Sequence, residues 1–174
     1  MEFRVDPSRI PEPDRRDQES PQRYAVRSAQ SKVREVSKRH RSALVIGADT
    51  VVVVGGKLLG KPRDKNEARL MLESLSGRWH QVVTGLCILD CGTRRQRSSQ
   101  TTSRVHFRRL SRQEIEWYLG TREYRDKAGA YAIQGFASLF IDRIEGSYLN
   151  IVGFPVFSFE RLCRRLSISI IADL

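Results

Sequence analysis

The chain has 174 residues, 40% of them hydrophobic, and carries 31 Lys and Arg against 20 Asp and Glu, a formal net charge of +11. That length provides for one packed domain, or at most two lobes sharing a core, and the expectation is a single domain over residues 1–174. The composition excludes a helix across a bilayer, since no apolar run approaches roughly 20 residues; a secretory leader, since MEFRVDPSRIPEPDRRDQESP has no apolar stretch; and a disulfide framework, since three cysteines are an odd count.

Residues 1–19 read as an irregular or short extended lead-in. Ser20-Pro21 is a helix start, with serine at the cap and proline in the first turn, and Ala25, Ala29, Val33 and Val36 follow at helical spacing. ALVIGAD at 43–49 is a buried-type strand that stays extended through Val51–Val54 into a Gly55-Gly56 turn. DKNEARLMLESLSG predicts a second helix, capped by Asp64 with Glu67 at the capping-box position, lined by Ala68, Met71, Leu72 and Leu75, and stopped by Gly77. Two long strands follow, WHQVVTGLCILD and roughly 98–109, joined by the turn-like CGTRRQ as an antiparallel ribbon. Ser111, with Glu114 three residues on, opens a short helix through Leu119. DKAGAYAIQG is a small-residue loop, SLFIDRIEG alternates like a strand, and YLNIVGFP is an apolar strand or loop. Pro155 begins a last helix with Val156, Phe159, Leu162 and Leu166 inward. Helices and strands mix without strict βαβ alternation, so the predicted fold is α/β, a mixed sheet with flanking helices.

The positive charge suits nucleic acid, nucleotide phosphate or an anionic surface. The arginines are scattered through RHR, TRRQR, FRR and CRR, however, with no basic helix interleaved with aromatics, so no dedicated nucleic-acid interface is expected. Cys87 and Cys91 have no second pair or histidine at ligand spacing and read as small buried apolar side chains.

The stretch ADTVVVVGGKLLGKP holds the strongest chemical signal. Asp49 ends an apolar strand, where a carboxylate costs free energy unless it is paired, hydrogen-bonded or bound to a cation. It reads as a magnesium ligand, as a group that polarises an attacking water, or as a turn-capping aspartate. Thr50 sets a hydroxyl beside it. Lys61 lies between Gly60, which permits close backbone approach, and Pro62, which fixes the chain direction. It is either a point charge for phosphate or a solvated surface lysine. Gln134 in AIQG is either a turn residue or a buried amide whose donor and acceptor match a nucleobase edge. Glu12, stiffened between Pro11 and Pro13, is a metal-reaching or a surface acid, and Asp126-Lys127 is a local ion pair at most. His40, His80 and His106 show no triad or ligand spacing.

ALVIGADTVVVVGGKLLGKPRDKNEARLMLESLSGRWHQVVTG and DKAGAYAIQGFASLFIDRIEGSYLNIVGFP together resemble the Maf family of nucleoside triphosphate pyrophosphatases, with motifs in order from about Phe3 to Leu166. The resemblance implies a fold akin to the inosine triphosphate pyrophosphatase group. It also implies hydrolysis between the α and β phosphates with a divalent metal (Mg2+ or Mn2+) and a homodimer, whereas a soluble, cytoplasmic protein is the default expectation from the composition and the lead-in. AYAIQG is similar to the branch acting on dTTP and UTP, whereas the 7-methyl-GTP branch tends to carry glutamate in place of Gln134. By the same match Asp49 is the catalytic acid/base and, with Glu12, a metal ligand. Lys32, Lys61 and Lys127 would contact substrate, and Thr50 and Gln134 would set specificity. The family's S-x-S-P-R-R phosphate loop has no counterpart here. The expectation from that is a start placed elsewhere, an isoform or fragment, or a catalytically weakened nucleotide- or RNA-binding relative. Leu149 and Phe154 also depart from the usual small polar residue and leucine. A role in septation, suggested by the family's association with cell division, leaves no partner motif in this chain.

Overall fold

The computed structural model describes residues 3–170. The chain divides into two compact units. One holds the described residues up to Asp49, Thr84–Thr101 and those from Gly153 on; the other holds Thr50–Val83 and Thr102–Val152. In chain order the elements are α1 (Pro21–Ser37), β1 (Leu44–Val54), β2 (Lys57–Leu59), α2 (Lys65–Leu75), β3 (Trp79–Asp90), β4 (Gln96–Phe107), α3 (Arg112–Thr121), β5 (Ile141–Glu145), α4 (Tyr148–Val152) and α5 (Val156–Arg165). The five strands form one sheet in the order β2-β1-β3-β4-β5, with β1, β3 and β4 each contributing residues to both units. The mixed α/β sheet with flanking helices is therefore as the sequence predicts.

In the first unit the alternation of β1 decides what faces what. Val45 packs with Ala29, Val33 and Val36 of α1 and with Cys87, Leu89 and Cys91 of β3 and its end. Leu44, Ile46 and Ala48 pack instead with Phe159, Leu162, Cys163 and Leu166 of α5 and with Leu86 and Ile88. Successive strand side chains point to opposite faces, so residues 45, 47 and 49 share the α1 face. Two glycines let α1 lie close. A methyl at Gly47 would meet Val33 Cγ2 at 2.6 Å, and one at Gly85 would meet the Ala25 carbonyl carbon at 2.2 Å. The polypeptide before α1 is tied down by charge: Arg27 binds the Glu19 carboxylate at 2.7 Å and the Asp14 carbonyl at 2.8 Å, and Arg39 and His40 both hold Asp6.

In the second unit Val51–Val54 are all buried, and Gly55-Gly56, at φ 54° and 77°, supply the left-handed pair that turns β1 into antiparallel β2 with Val52 opposite Leu59. The core gathers Val52 and Val54, the inner face of α2, Ile115, Tyr118 and Leu119 of α3, and Phe107, Tyr131 and Phe140. Asp64 caps α2 by accepting from the Glu67 N–H at 2.8 Å, but Glu67 returns its carboxylate to Arg63, not to the cap. The capping box at Ser111 and Glu114 is complete.

Four local expectations need correction. β4 spans Gln96–Phe107 and not 98–109, because Arg108 leaves the ladder to donate to the Phe140 carbonyl. α3 runs on to Thr121, where Arg122 ends it in a left-handed conformation at φ 64°. YLNIV is a one-turn helix, neither the strand nor the loop expected. Its Asn150 is fully buried and donates through Nδ2 to the Val82 carbonyl and to Ser103 Oγ, each at 3.0 Å. Finally, Val156 stands exposed at the start of α5, while Phe159, Leu162 and Leu166 are inward as expected.

His80 carries a pH dependence that has nothing to do with catalysis. Its ring is 2% exposed, shares a 2.9 Å hydrogen bond with the Tyr131 hydroxyl, and packs edge-on to Phe107. Burial lowers its pKa from 6.5 to about 4, only partly offset by the Arg78 backbone. The unfolded chain therefore binds the proton more readily between those values. The neutral ring's contribution is complete above pH 6.5 and is lost as pH falls towards 4, by roughly 3 kcal/mol in all. Urea melts of the wild type and His80→Leu across pH 7.5 to 4 should show a steeper loss in the wild type. Parallel curves would mean that His80 does not titrate in this way.

Candidate active site

The site is built on the α1 face of β1, in the first unit. Asp49 is 7% exposed, at the position where strand alternation turns its carboxylate towards α1. On that helix Tyr24, Ser28 and Lys32 follow one another at one-turn spacing, so they form a row beside the apolar row of Ala25, Ala29 and Val33. Lys32 Nζ donates to Asp49 Oδ1 and lies 3.6 Å from Glu12 Oε1. The structure thus brings together three sequence-predicted residues, Glu12, Lys32 and Asp49, from the lead-in, the helix and the strand. Glu12 is exposed, Lys32 half-buried and Asp49 buried, so the cluster is graded from solvent inward.

Burial raises the Asp49 pKa above the usual carboxylate range, while the Lys32 ammonium, by hydrogen bond and charge, works against that rise. The Glu12 charge adds to the rise. Tyr24 is affected from the same direction: burial first, then Asp49 and Glu12, hold its phenol above its ordinary pKa. Tyr24 and Ser28 are buried on the same helix row as Lys32, and the sequence reading did not single them out. The available signal was spacing, since both lie on Lys32's helix face four and eight residues before it.

The cluster holds two carboxyl groups and one amino group. Among the described residues no three His, Cys, Asp or Glu side chains converge to hold an ion by themselves. Glu12 and Asp49 instead converge on one cationic group. That donor set fits a hard divalent cation of the magnesium type, which takes one or two carboxylates and completes its shell with water and substrate phosphate oxygens.

The remaining predicted residues lie in the second unit. Thr50 is half-buried on β1 just after Asp49. Lys61 is exposed on the segment leaving β2, and the Gly60 carbonyl before it accepts from the Gly129 N–H at 3.0 Å, which ties that segment to the loop bearing Lys127. Lys127 is exposed. Gln134 is exposed as well, which fits the turn-residue reading and not the buried amide, while neighbouring Ile133 packs against the core.

Comparison with known proteins finds relatives over most of the chain. The dTTP/UTP pyrophosphatase of Pyrococcus abyssi is 45% identical over 156 residues, 90% of this chain and 81% of the relative. The dTTP/UTP pyrophosphatase of Dictyoglomus thermophilum is 39% identical over 171 residues, 98% of this chain and 89% of the relative. That of Clostridioides difficile is 46% identical over 138 residues, 79% and 71% respectively. The Maf-like protein family matches residues 1–166, and the chain belongs to it.

Proposed function

We propose that this chain is a nucleoside triphosphate pyrophosphatase acting on dTTP and UTP, cleaving the bond between the α and β phosphates to give the monophosphate and pyrophosphate. The observation that carries the reading is the buried Asp49 carboxylate paired with Lys32, whose ammonium also lies 3.6 Å from Glu12, in a chain 39–46% identical to dTTP/UTP pyrophosphatases. Asp49 takes a proton from the water that attacks the α phosphorus in line, and the α–β bridging oxygen departs with pyrophosphate. Lys32 works against the rise that burial imposes on the Asp49 pKa and offsets phosphate charge. Lys61 and Lys127 are assigned to the phosphates, and Thr50 and Gln134 to selection of the nucleoside. A divalent cation, Mg2+ or Mn2+, held by Asp49 and Glu12, supplies neutralisation of the phosphate oxygens when bound.

Buried thiols at Cys87, Cys91 and Cys163 support a reducing, cytoplasmic setting. Exposed Trp117 and Phe136, in edge contact at 5.5 Å, support a homodimer that would cover them. No helix among the described residues is long and apolar enough to cross a membrane.

The test is a coupled pyrophosphate assay on dTTP and UTP with Mg2+ or Mn2+, the protein's mass being measured on the same sample. Stoichiometric monophosphate and pyrophosphate are expected from a particle of two chains. Binding that weakens steeply with salt and releases no pyrophosphate would favour the alternative, a non-catalytic nucleotide- or RNA-binding protein.

A further inference from the structure

The turn that presents Gln134 is held at both ends by side chains of α3 and its C-terminal turn. Ala132–Gly135 closes on itself, the Gly135 N–H donating to the Ala132 carbonyl at 3.0 Å, with Gln134 at its third position. On one side the Ala132 N–H donates to the hydroxyl of fully buried Tyr118 at 3.2 Å. On the other the Phe136 N–H donates to Glu123 Oε2 at 2.8 Å. Glu123 is itself placed by its own N–H, which donates to Thr121 Oγ1 at 3.3 Å, just beyond the left-handed Arg122 that ends α3. The carboxylate fits so closely under the turn that a methyl at Gly135 would stand 2.2 Å from Glu123 Oε2. Phe136 also makes an edge contact with Trp117 of α3.

We infer that Glu123, assisted by Tyr118, is a positioning residue for nucleobase selection: it fixes the turn so that Gln134 meets the base edge in one orientation. The inference rests on the reading of Gln134 as the base contact. An exposed amide on an unrestrained turn would have to be ordered by each nucleotide it binds, and it would lose discrimination by satisfying the wrong base in another pose. Two backbone N–H groups anchored to side-chain oxygens remove that freedom before binding. Glu123 reaches the base only through the turn, so it acts on selectivity and leaves the proton transfer at Asp49 untouched.

The experiment measures kcat and KM for dTTP and UTP against dATP and GTP in the wild type, Gln134→Ala, Glu123→Ala, Glu123→Gln and Gly135→Ala. Glu123→Ala should lower the pyrimidine-over-purine ratio in kcat/KM by about tenfold, mainly through KM, with kcat nearly constant. Glu123→Gln keeps an acceptor oxygen for the Phe136 N–H and should recover most of the ratio, which a purely structural role for the charge would not predict. Gly135→Ala, whose methyl must displace the carboxylate, should reproduce the loss and serves where Glu123→Ala does not fold. An unchanged ratio in folded Glu123→Ala or in Gly135→Ala, alongside a lowered ratio in Gln134→Ala, would overturn the positioning role alone. An unchanged ratio in Gln134→Ala would overturn the reading of Gln134 and this inference with it.

Discussion

Asp49→Asn is expected to release pyrophosphate from dTTP or UTP on the order of 10²–10³ more slowly than the parent, while folding as well as the parent does. The rate falls because the amide accepts no proton from water and offers a cation one neutral oxygen in place of a carboxylate. The fold survives because the replacement has the same shape, and because removing a charge from a 7% exposed site relieves a desolvation cost that already pushes the Asp49 pKa upward. Lys32 is not stranded: its ammonium is half-buried and still has Glu12 at 3.6 Å. Loss of activity with unchanged melting separates a functional carboxylate from one that merely caps a turn, for which stability should drop and rate should not. Turnover equal to the parent's would remove Asp49 from the mechanism.

Where local chemistry decides the structure, the sequence was a sufficient guide. Ser20-Pro21, Asp64 and the Ser111–Glu114 box mark their helices because a serine or aspartate side chain satisfies N–H groups that the helix leaves open, and that bonding needs no distant partner. Strand alternation places Asp49 on the face of Val45 once a helix is known to cover it. Tertiary context decided the rest. Asn150 sits in a helix, not a strand, because Val82 and Ser103, remote in sequence, supply acceptors for its amide. Gln134 is exposed because buried Tyr118 and half-buried Glu123 take up the backbone on either side of it, so nothing requires its own side chain to be buried. Tyr24 and Ser28 share Lys32's row on α1, and that helix lies close to β1 and β3 because of the two glycines beneath it, a packing that no local signal announces.

Gly85→Ala tests that closeness and should be the most damaging single methyl addition in the first unit. The added carbon would stand 2.2 Å from the Ala25 carbonyl carbon, 2.3 Å from its oxygen and 2.4 Å from the Val26 nitrogen. All three are backbone atoms in the first turns of α1, so no rotamer change can relieve the clash, and the helix must move off the strand. Overpacking of a well-filled core costs about 1–3 kcal/mol even where side chains can yield, so roughly 3 kcal/mol or more is expected here. That is a large share of the 5–15 kcal/mol typical of a whole domain, roughly. The displaced helix carries Ser28 and Lys32, so whatever fraction folds should also lose pyrophosphate release, with Asp49 still in place on β1. Gly120→Ala provides the comparison. It lies in α3 with nothing within 4 Å of a new methyl, and an alanine there should leave stability unchanged or raise it by about 0.5–1 kcal/mol. Chemical denaturation of both variants beside the wild type, with activity measured on each, distinguishes a general intolerance of glycine replacement from contact at this helix–strand crossing. A Gly85→Ala protein of parental stability would show that α1 does not lie against β3 at Gly85, and the row from Tyr24 to Lys32 would no longer be placed opposite Asp49.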